Sequence, residues 1–227
     1  MKKVLISLTA IAIAVFSSVN AYSQSSFSFH VGPAFPISDF GNDDVDDDDA
    51  GGANVGLNVG GKYIYPLNNN GLGLFIGADL NYNGLKGSVK DYIEDEYRYL
   101  GVDDEDISYY KFINVPVTAG LSGTYSGNGQ VSVFGEVGIG VDFLKITDLT
   151  IEVNNKDMVT NFDMSAQLAY VIGGGVWIND KVGIGLHYNN LGKHEINGEM
   201  KYSGYTEDLE SSDLKVGLVT LTLGVKL

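Results

Sequence analysis

Residues 130–144 read Gln-Val-Ser-Val-Phe-Gly-Glu-Val-Gly-Ile-Gly-Val-Asp-Phe-Leu, and apolar side chains occupy nearly every second position. Val137, Ile139 and Val141 fall on one face of an extended chain, and Glu136 falls on the other face among glycines. Because successive side chains of a β-strand point to opposite faces, this period of two predicts a strand with one apolar face and one small or polar face.

Seven further segments of the chain show the same alternation, with no helical period between them. Each is long enough to supply the roughly 9–11 residues that a tilted strand needs to cross a bilayer, whereas strands of soluble proteins usually have about 5–6. The eight predicted strands cover residues 25–34, 52–65, 71–83, 109–124, 130–144, 161–177, 182–190 and 214–227.

The links between these strands alternate strictly in length. Residues 66–70, 125–129 and 178–181 are short turns rich in Asn, Gly and Asp, whereas residues 36–51, 84–108, 145–160 and 191–213 are long and polar. Short periplasmic turns alternating with long external loops are typical of outer-membrane barrels, in which closure leaves no strand edge unpaired in lipid. The sequence therefore predicts an all-β fold, a closed antiparallel up-and-down transmembrane β-barrel of about eight strands, with both termini in the periplasm.

The N-terminal segment has the three-part layout of a secretory signal peptide. Met1, Lys2 and Lys3 give a basic start, residues 4–19 are mainly apolar, and small residues follow before residue 24. We therefore predict a signal peptide over 1–23 and a barrel domain over 24–227, placed in the bacterial cell outer membrane. A short membrane anchor is the alternative reading, but no stop-transfer charge cluster follows the apolar run.

Composition excludes several kinds of chemistry. The chain has no Cys, so a disulfide framework, a thiolate zinc site and a cysteine nucleophile are all impossible. Its formal net charge is −15, and −17 without the two lysines of residues 1–23, which argues against nucleic acid as a partner. A soluble secreted β-protein is the architectural alternative.

Two phrases carry a resemblance to a known family. Residues 110–117 read Tyr-Lys-Phe-Ile-Asn-Val-Pro-Val, and residues 221–227 read Leu-Thr-Leu-Gly-Val-Lys-Leu. Together with the signal peptide and the strands punctuated by Gly, these phrases resemble the outer membrane β-barrel domain family, which is often labelled porin-like. The resemblance covers nearly the whole mature chain and implies no catalytic motif. One departure is Leu227, because an aromatic residue is common at the end of such barrels.

Polar residues on the predicted inner face form a candidate network. Eight strands enclose a space just wide enough for side chains to fill, so we expect a filled lumen with no diffusion pore. Since an unpaired ion there is costly, Glu136 is expected to pair with one or both lumen histidines. The alternative, a solvated polar lumen without fixed pairs, stays open. The candidate network comprises His30, Asp79, Glu136, Gln167 and His187.

Aromatic residues cluster where the predicted strands leave the apolar band, which predicts two interfacial girdles. Tyr63, Tyr65 and Trp177 would form the girdle near the short turns. The girdle near the long loops would contain Tyr82, Tyr109, Tyr110, Phe143, Phe162 and Tyr188.

Acidic runs dominate the long loops, and calcium is the metal to consider there. Asp46, Asp48 and Gly51 match part of a calcium-binding loop, but Ala50 occupies a ligand position and no closing Glu follows. We therefore expect a solvated acidic loop with no metal site and no cofactor, and a divalent cation at Asp46 and Asp48 is the alternative.

These features favour a monomeric barrel that displays long acidic loops in a structural or surface-interaction role. Its partners would be outer-membrane lipids and an unidentified ligand or surface partner outside the cell. The alternative function is porin-like passage of small solutes. An enzyme is not expected, because hydrolases embedded in membranes need a Ser, a His and an acidic residue in one cluster. A surface protease with paired acids facing His194 in an external loop is the enzymatic alternative.

Overall fold

A computed structural model of the chain describes residues 25–47, 49–68, 71–98, 101–126 and 130–227. The predicted signal peptide lies outside these residues. No helix among the described residues is long and apolar enough to span a membrane. The strands are β1 (Ser26–Ile37), β2 (Gly56–Pro66), β3 (Leu72–Asn83), β4 (Ile107–Ser108), β5 (Phe112–Ser126), β6 (Val131–Ile146), β7 (Leu149–Val153), β8 (Lys156–Phe162), β9 (Ser165–Ile178), β10 (Val182–Ile196), β11 (Gly198–Tyr202), β12 (Tyr205–Asp208) and β13 (Ser212–Lys226).

Eight of these strands form a closed antiparallel barrel, which confirms the predicted fold class. Its order is β1-β13-β10-β9-β6-β5-β3-β2, so each barrel strand pairs with the next one along the chain. Closure is visible at Phe29 of β1, which lies opposite Gly61 of β2 on one side and Val225 of β13 on the other. The barrel therefore has no free edge, as a sheet in lipid requires.

The two faces of the barrel follow the period-two pattern of the sequence. Apolar side chains that point outward on all eight strands are exposed, among them Ile139 (75%) and Leu168 (81%). Most side chains that point inward are small or polar, and Asn58, Thr118 and Thr220 among them are buried. An apolar outside around a polar inside is the arrangement that suits a lipid surround.

Inward-facing glycines leave room for large lumen side chains. A Cβ added at Gly173 would lie 2.1 Å from Cδ2 of His187, and one at Gly183 would lie 2.6 Å from the indole of Trp177. Such distances are far below van der Waals contact. The rings of His187 and Trp177 therefore fit only because Gly173 and Gly183 have no side chain.

The long links are folded, which corrects the expectation of plain polar loops. They contain α1 (Gly87–Arg98) and a second, five-stranded sheet in the order β12-β11-β8-β7-β4. We call residues 38–55, 84–111, 147–164 and 197–211 the cap. Two of its hairpins have tight turns with positive φ, at Asn154 and Asn155 between β7 and β8, and at Ser203 and Gly204 between β11 and β12.

An apolar core joins the cap to the barrel end beneath it. Ile151 of the cap sheet and Phe40 of the first long link are both fully buried. The ring of Phe40 packs edge-on against Phe112 of β5, with the ring centroids 5.0 Å apart. Other members of this core are Ala53, Leu85, Ile93, Val102, Ile107, Leu144, Ile146, Val153, Leu191, Leu214, Val216 and Leu218. Buried apolar contacts within the cap sheet, and between the cap and the barrel strands, therefore hold the cap in place.

Candidate functional site

The middle of the lumen holds a cluster of ionisable side chains centred on Glu136 of β6. Lys62 of β2 donates a hydrogen bond to Glu136, and Nε2 of His187 on β10 lies 3.1 Å from the same carboxylate oxygen. The Glu136 side chain is only 2% exposed. Glu136 is thus brought together with one of the two histidines proposed from the sequence, and with a lysine that the proposed network omitted.

The other proposed histidine faces a different acid. Nε2 of His30 lies 2.6 Å from Oδ1 of Asp79 on β3, and Nδ2 of Asn58 donates to that oxygen at 3.1 Å. Asn58 also donates to Asn81 at 2.9 Å. The mid-lumen polar residues are therefore tied together in two neighbouring groups, one around Glu136 and one around Asp79.

Gln167 does not join either group. It is half-buried on β9 opposite Asp142, nearer the cap, and its Cβ lies close to the backbone of Gly192. Among the described residues its side chain makes no hydrogen bond with His30, Asp79, Glu136 or His187. Strand register explains this, because Gln167 lies several residues closer to the cap than the Glu136 level.

Trp177 lies inside the barrel, so its placement in a lipid-facing girdle is wrong. It is 7% exposed, and its ring lies 5.7 Å from the Phe134 ring, between centroids. Nζ of Lys226 lies 4.6 Å from the Trp177 ring, in the geometry of a cation–π contact. These rings lie in the lumen at its short-turn end.

His194 is also placed differently from the expectation of an external loop. It lies on β10, points into the barrel and is fully buried, with Nε2 at 3.2 Å from Asp142 and at 3.0 Å from the Leu191 carbonyl. Asn114, fully buried as well, faces the lumen from β5. A histidine enclosed in this way is not available to a substrate at the surface, so the surface-protease arrangement at His194 is overturned.

Two small cavities lie within the lumen. Their volumes are about 30 and 20 Å³, and His30, Lys62, Glu136 and His187 line both. A cavity needs at least about 10–15 Å³ to hold one water molecule, so each of these has room for one or two waters. Phe134 and Trp177 line the cavity of about 30 Å³, and Phe75 lines the cavity of about 20 Å³.

The cap surface is strongly acidic. Its four segments contain 23 of the chain's 29 Asp and Glu residues but only 6 of its 14 Lys and Arg residues. Asp46, proposed as a cation ligand, is exposed, and Asp48 lies outside the described residues. Among the residues that the structure describes, no three His, Asp or Glu side chains are grouped as metal ligands.

Polar contacts tie α1 to the rest of the cap. Lys86 and Ser88 both donate to Asp43, and these hydrogen bonds hold the pKa of the Asp43 carboxyl below its usual range. The hydroxyl of Tyr109 donates to Glu94 on α1, and burial together with this bond raises the pKa of Tyr109. The segments of the cap are thus linked by polar contacts as well as by the apolar core.

Comparison with known proteins assigns this architecture. The family model for the outer membrane protein beta-barrel domain matches residues 8–226. The chain belongs to that family. The protein is therefore an outer-membrane barrel.

Solved structures of other outer-membrane proteins are similar to this chain at low sequence identity. A major outer membrane protein from Thermus thermophilus is 15% identical, with 90% of this chain and 100% of that chain covered and a TM-score of 0.51. OprG from Pseudomonas aeruginosa is 14% identical, with 92% and 99% covered and a TM-score of 0.48. Ail, the attachment invasion locus protein of Yersinia pestis, is 18% identical, with 90% and 100% covered and a TM-score of 0.41. No curated protein matches the chain at a significant level.

The cap is the main feature that the sequence analysis missed, although signals for it were present. Residues 149–158 alternate on both sides of the pair Asn154-Asn155, and the pair Ser203-Gly204 separates two tyrosines. Both are turn sequences flanked by strand formers, which predict β-hairpins. Val89, Ile93 and Tyr97 recur every four residues, which is the spacing of one face of a helix.

Proposed function

We propose that this protein is a non-conducting outer-membrane anchor whose barrel holds an acidic, folded cap at the cell surface for interaction with partners of opposite charge. The observation that carries the proposal is that buried side chains occupy the lumen at three levels. Trp177 and Phe134 occupy the short-turn end, Lys62 and Glu136 meet at mid-height, and Asp142 and His194 are fully buried beneath the cap.

The filled lumen favours this role over passage of solutes. Cavities of about 30 and 20 Å³ have room for one or two waters each, whereas even a small sugar needs a wide continuous channel. Removing the ion pairs to open a path would leave buried charges without partners, which is costly.

The composition of the cap supports a cationic partner. A surface with one sign of charge raises the association rate of oppositely charged molecules and repels those of the same sign. A cap with a buried apolar core also presents those charges on a fixed framework, which lowers the entropic cost of binding compared with a disordered loop.

The test compares cells that carry the protein with otherwise identical cells that lack it. Binding of each strain is measured to surfaces coated with lysozyme or protamine, two cationic proteins, and to serum albumin, an acidic one. The proposal predicts more binding to the two cationic surfaces when the protein is present, a decrease of that binding as salt screens the charges, and no difference on albumin. Equal binding of the two strains to all three surfaces would contradict it.

A further inference from the structure

Strand β12 forms an open edge of the cap sheet. Among the described residues its only strand partner is β11, and all four of its residues are exposed. The barrel has no such edge, because its first and last strands pair. β12 therefore offers backbone groups to which another strand could pair, a feature that is rare on proteins without some form of protection.

The turn before β12 determines which backbone groups face outward. Ser203 and Gly204 form a two-residue turn, which pairs Tyr202 with Tyr205 in register. In an antiparallel hairpin of this kind the flanking pair exchanges hydrogen bonds, and bonded and non-bonded pairs then alternate.

This alternation leaves the N–H and C=O groups of Thr206 and Asp208 directed away from β11. The bond from the Leu209 N–H to the Gly198 carbonyl, at 2.9 Å, agrees with the same alternation one step beyond the strand. An incoming strand would therefore pair with the backbone of Thr206 and Asp208.

A row of apolar side chains crosses the sheet and ends at this edge. Ile151, Met158, Tyr202 and Tyr205 occupy consecutive positions in register on β7, β8, β11 and β12. Ile151 is fully buried, Met158 and Tyr202 pack partly against the cap core, and Tyr205 is 83% exposed. The apolar face of the sheet is thus continuous up to Tyr205, beyond which nothing in the chain covers it among the described residues.

The charges at the edge indicate the chemistry of its occupant. Glu207 and Asp208 lie on the strand itself, and Glu210 follows it. A second copy of β12 would bring the same acidic residues together, and like charges across a strand pair are destabilising. Lysine or arginine side chains in the incoming strand would instead be opposite Glu207 and Asp208.

We propose that β12 binds an extended polypeptide segment as a sixth strand of the cap sheet, with an apolar or aromatic residue opposite Tyr205 and basic residues opposite Glu207 and Asp208. When a strand adds to the edge of a sheet, the backbone hydrogen bonds give affinity and every second side chain gives specificity. This inference rests on the proposed function, since it names the part of the cap that would contact a cationic partner.

The test uses the full-length protein in detergent and a fluorescent peptide whose anisotropy reports binding. The probe is Thr-Lys-Lys-Thr-Tyr-Thr-amide with a fluorophore attached to its N-terminus, which places Tyr opposite Tyr205 and Lys opposite Glu207 and Asp208 in an antiparallel pairing. Thr206→Pro removes an outward N–H while leaving the bonds to β11 intact, because proline is tolerated on an edge strand when its N–H side faces solvent. Thr206→Val is the matched control, since it keeps the N–H and the strand propensity.

We expect Thr206→Pro to weaken probe binding about tenfold, a loss that corresponds to about 1.4 kcal/mol, and Thr206→Val to leave it within about twofold. Replacing both lysines of the probe with glutamate should abolish binding. A change in gel mobility on boiling, as in wild type, would show that the barrel is intact in both variants.

The outcomes separate this inference from the proposed function. Equal binding of the probe to wild type and Thr206→Pro would overturn the β12 site, and so would the absence of probe binding to wild type. If the cells described above still bind lysozyme and protamine through the protein, the proposed function stands without this site. If they do not, the proposed function itself is contradicted, whatever the peptide does.

Discussion

Lys62 and Glu136 lie three strands apart around the barrel, on β2 and β6, and form an ion pair inside it. Their side chains are 13% and 2% exposed, so neither charge is well solvated. His187 completes the group from β10. This pair links strands that share no backbone ladder, and it lies where a channel would need to be open.

Removal of one partner should therefore destabilise the barrel. Glu136→Leu leaves the Lys62 ammonium buried without its carboxylate, and breaking a buried pair in this way costs about 3–5 kcal/mol. We expect the free energy of unfolding, measured by urea titration in detergent micelles, to fall by an amount in that range.

The control for this prediction is the double variant Lys62→Met with Glu136→Leu. Apolar side chains of similar size remove both charges, and such replacements are often neutral or stabilising. Its stability should return close to that of wild type. An unchanged unfolding transition for Glu136→Leu alone would show that the pair does not stabilise the barrel.

Fluorescence quenching tests the inward position of Trp177, the only tryptophan of the chain. Lipids with brominated acyl chains quench a tryptophan that contacts hydrocarbon, whereas Trp177 is enclosed by Phe134 and Lys226. Quenching should therefore be weak in reconstituted wild-type protein. The comparison is Trp177→Phe combined with Leu186→Trp, because Leu186 points outward and is 57% exposed. Strong quenching of the wild type would place Trp177 on the lipid face after all.

Substitution of a buried cap residue should loosen the cap and spare the barrel. Ile151 is fully buried in the cap core, so Ile151→Asp introduces an unpaired charge where none can be solvated. Limited proteolysis should cut residues 147–164 much faster than in wild type, while the change in gel mobility with boiling persists. Val45→Asp is the matched control, because Val45 is 45% exposed. A variant cap as resistant as that of wild type would argue against a packed core.

High pH should weaken the contact between α1 and the chain segment before β5. Burial and the hydrogen bond to Glu94 raise the pKa of Tyr109 above its ordinary value of 10.0, so the folded cap favours the neutral phenol. The resulting stabilisation is fully present below pH 10 and is lost as the pH rises through the raised pKa. Proteolysis of the wild-type cap should thus accelerate above pH 10 by more than that of Tyr109→Phe. The same pH profile for both proteins would contradict this assignment.

Much of the barrel could be predicted from the sequence because lipid imposes one strict rule on each strand. Val137, Ile139 and Val141 must face outward, so the inward side of the same strand follows at once. Alternation also places residue 177 inward, but the preference of tryptophan for membrane interfaces pointed the other way. The structure resolves that conflict in favour of alternation, since Gly183 leaves the space that the indole ring occupies.

The pairing within the lumen could not be predicted from strand pattern. Alternation gives each inward residue a height along its strand, but not its partner across the barrel, which depends on stagger between strands. His30 and His187 therefore both looked equally able to reach Glu136, whereas register brings Asp79 to His30. The cap was missed for a different reason, because its hairpins and helix are short and lie among acidic residues that resemble solvated loop.

Planar-bilayer recording of the purified protein tests the central claim most directly. A lumen filled by Trp177, by the Lys62–Glu136 pair and by the buried residues under the cap predicts no steady conductance above the bare membrane, at either polarity. Steady open channels with ohmic current in wild-type protein would contradict the account and favour passage of small solutes.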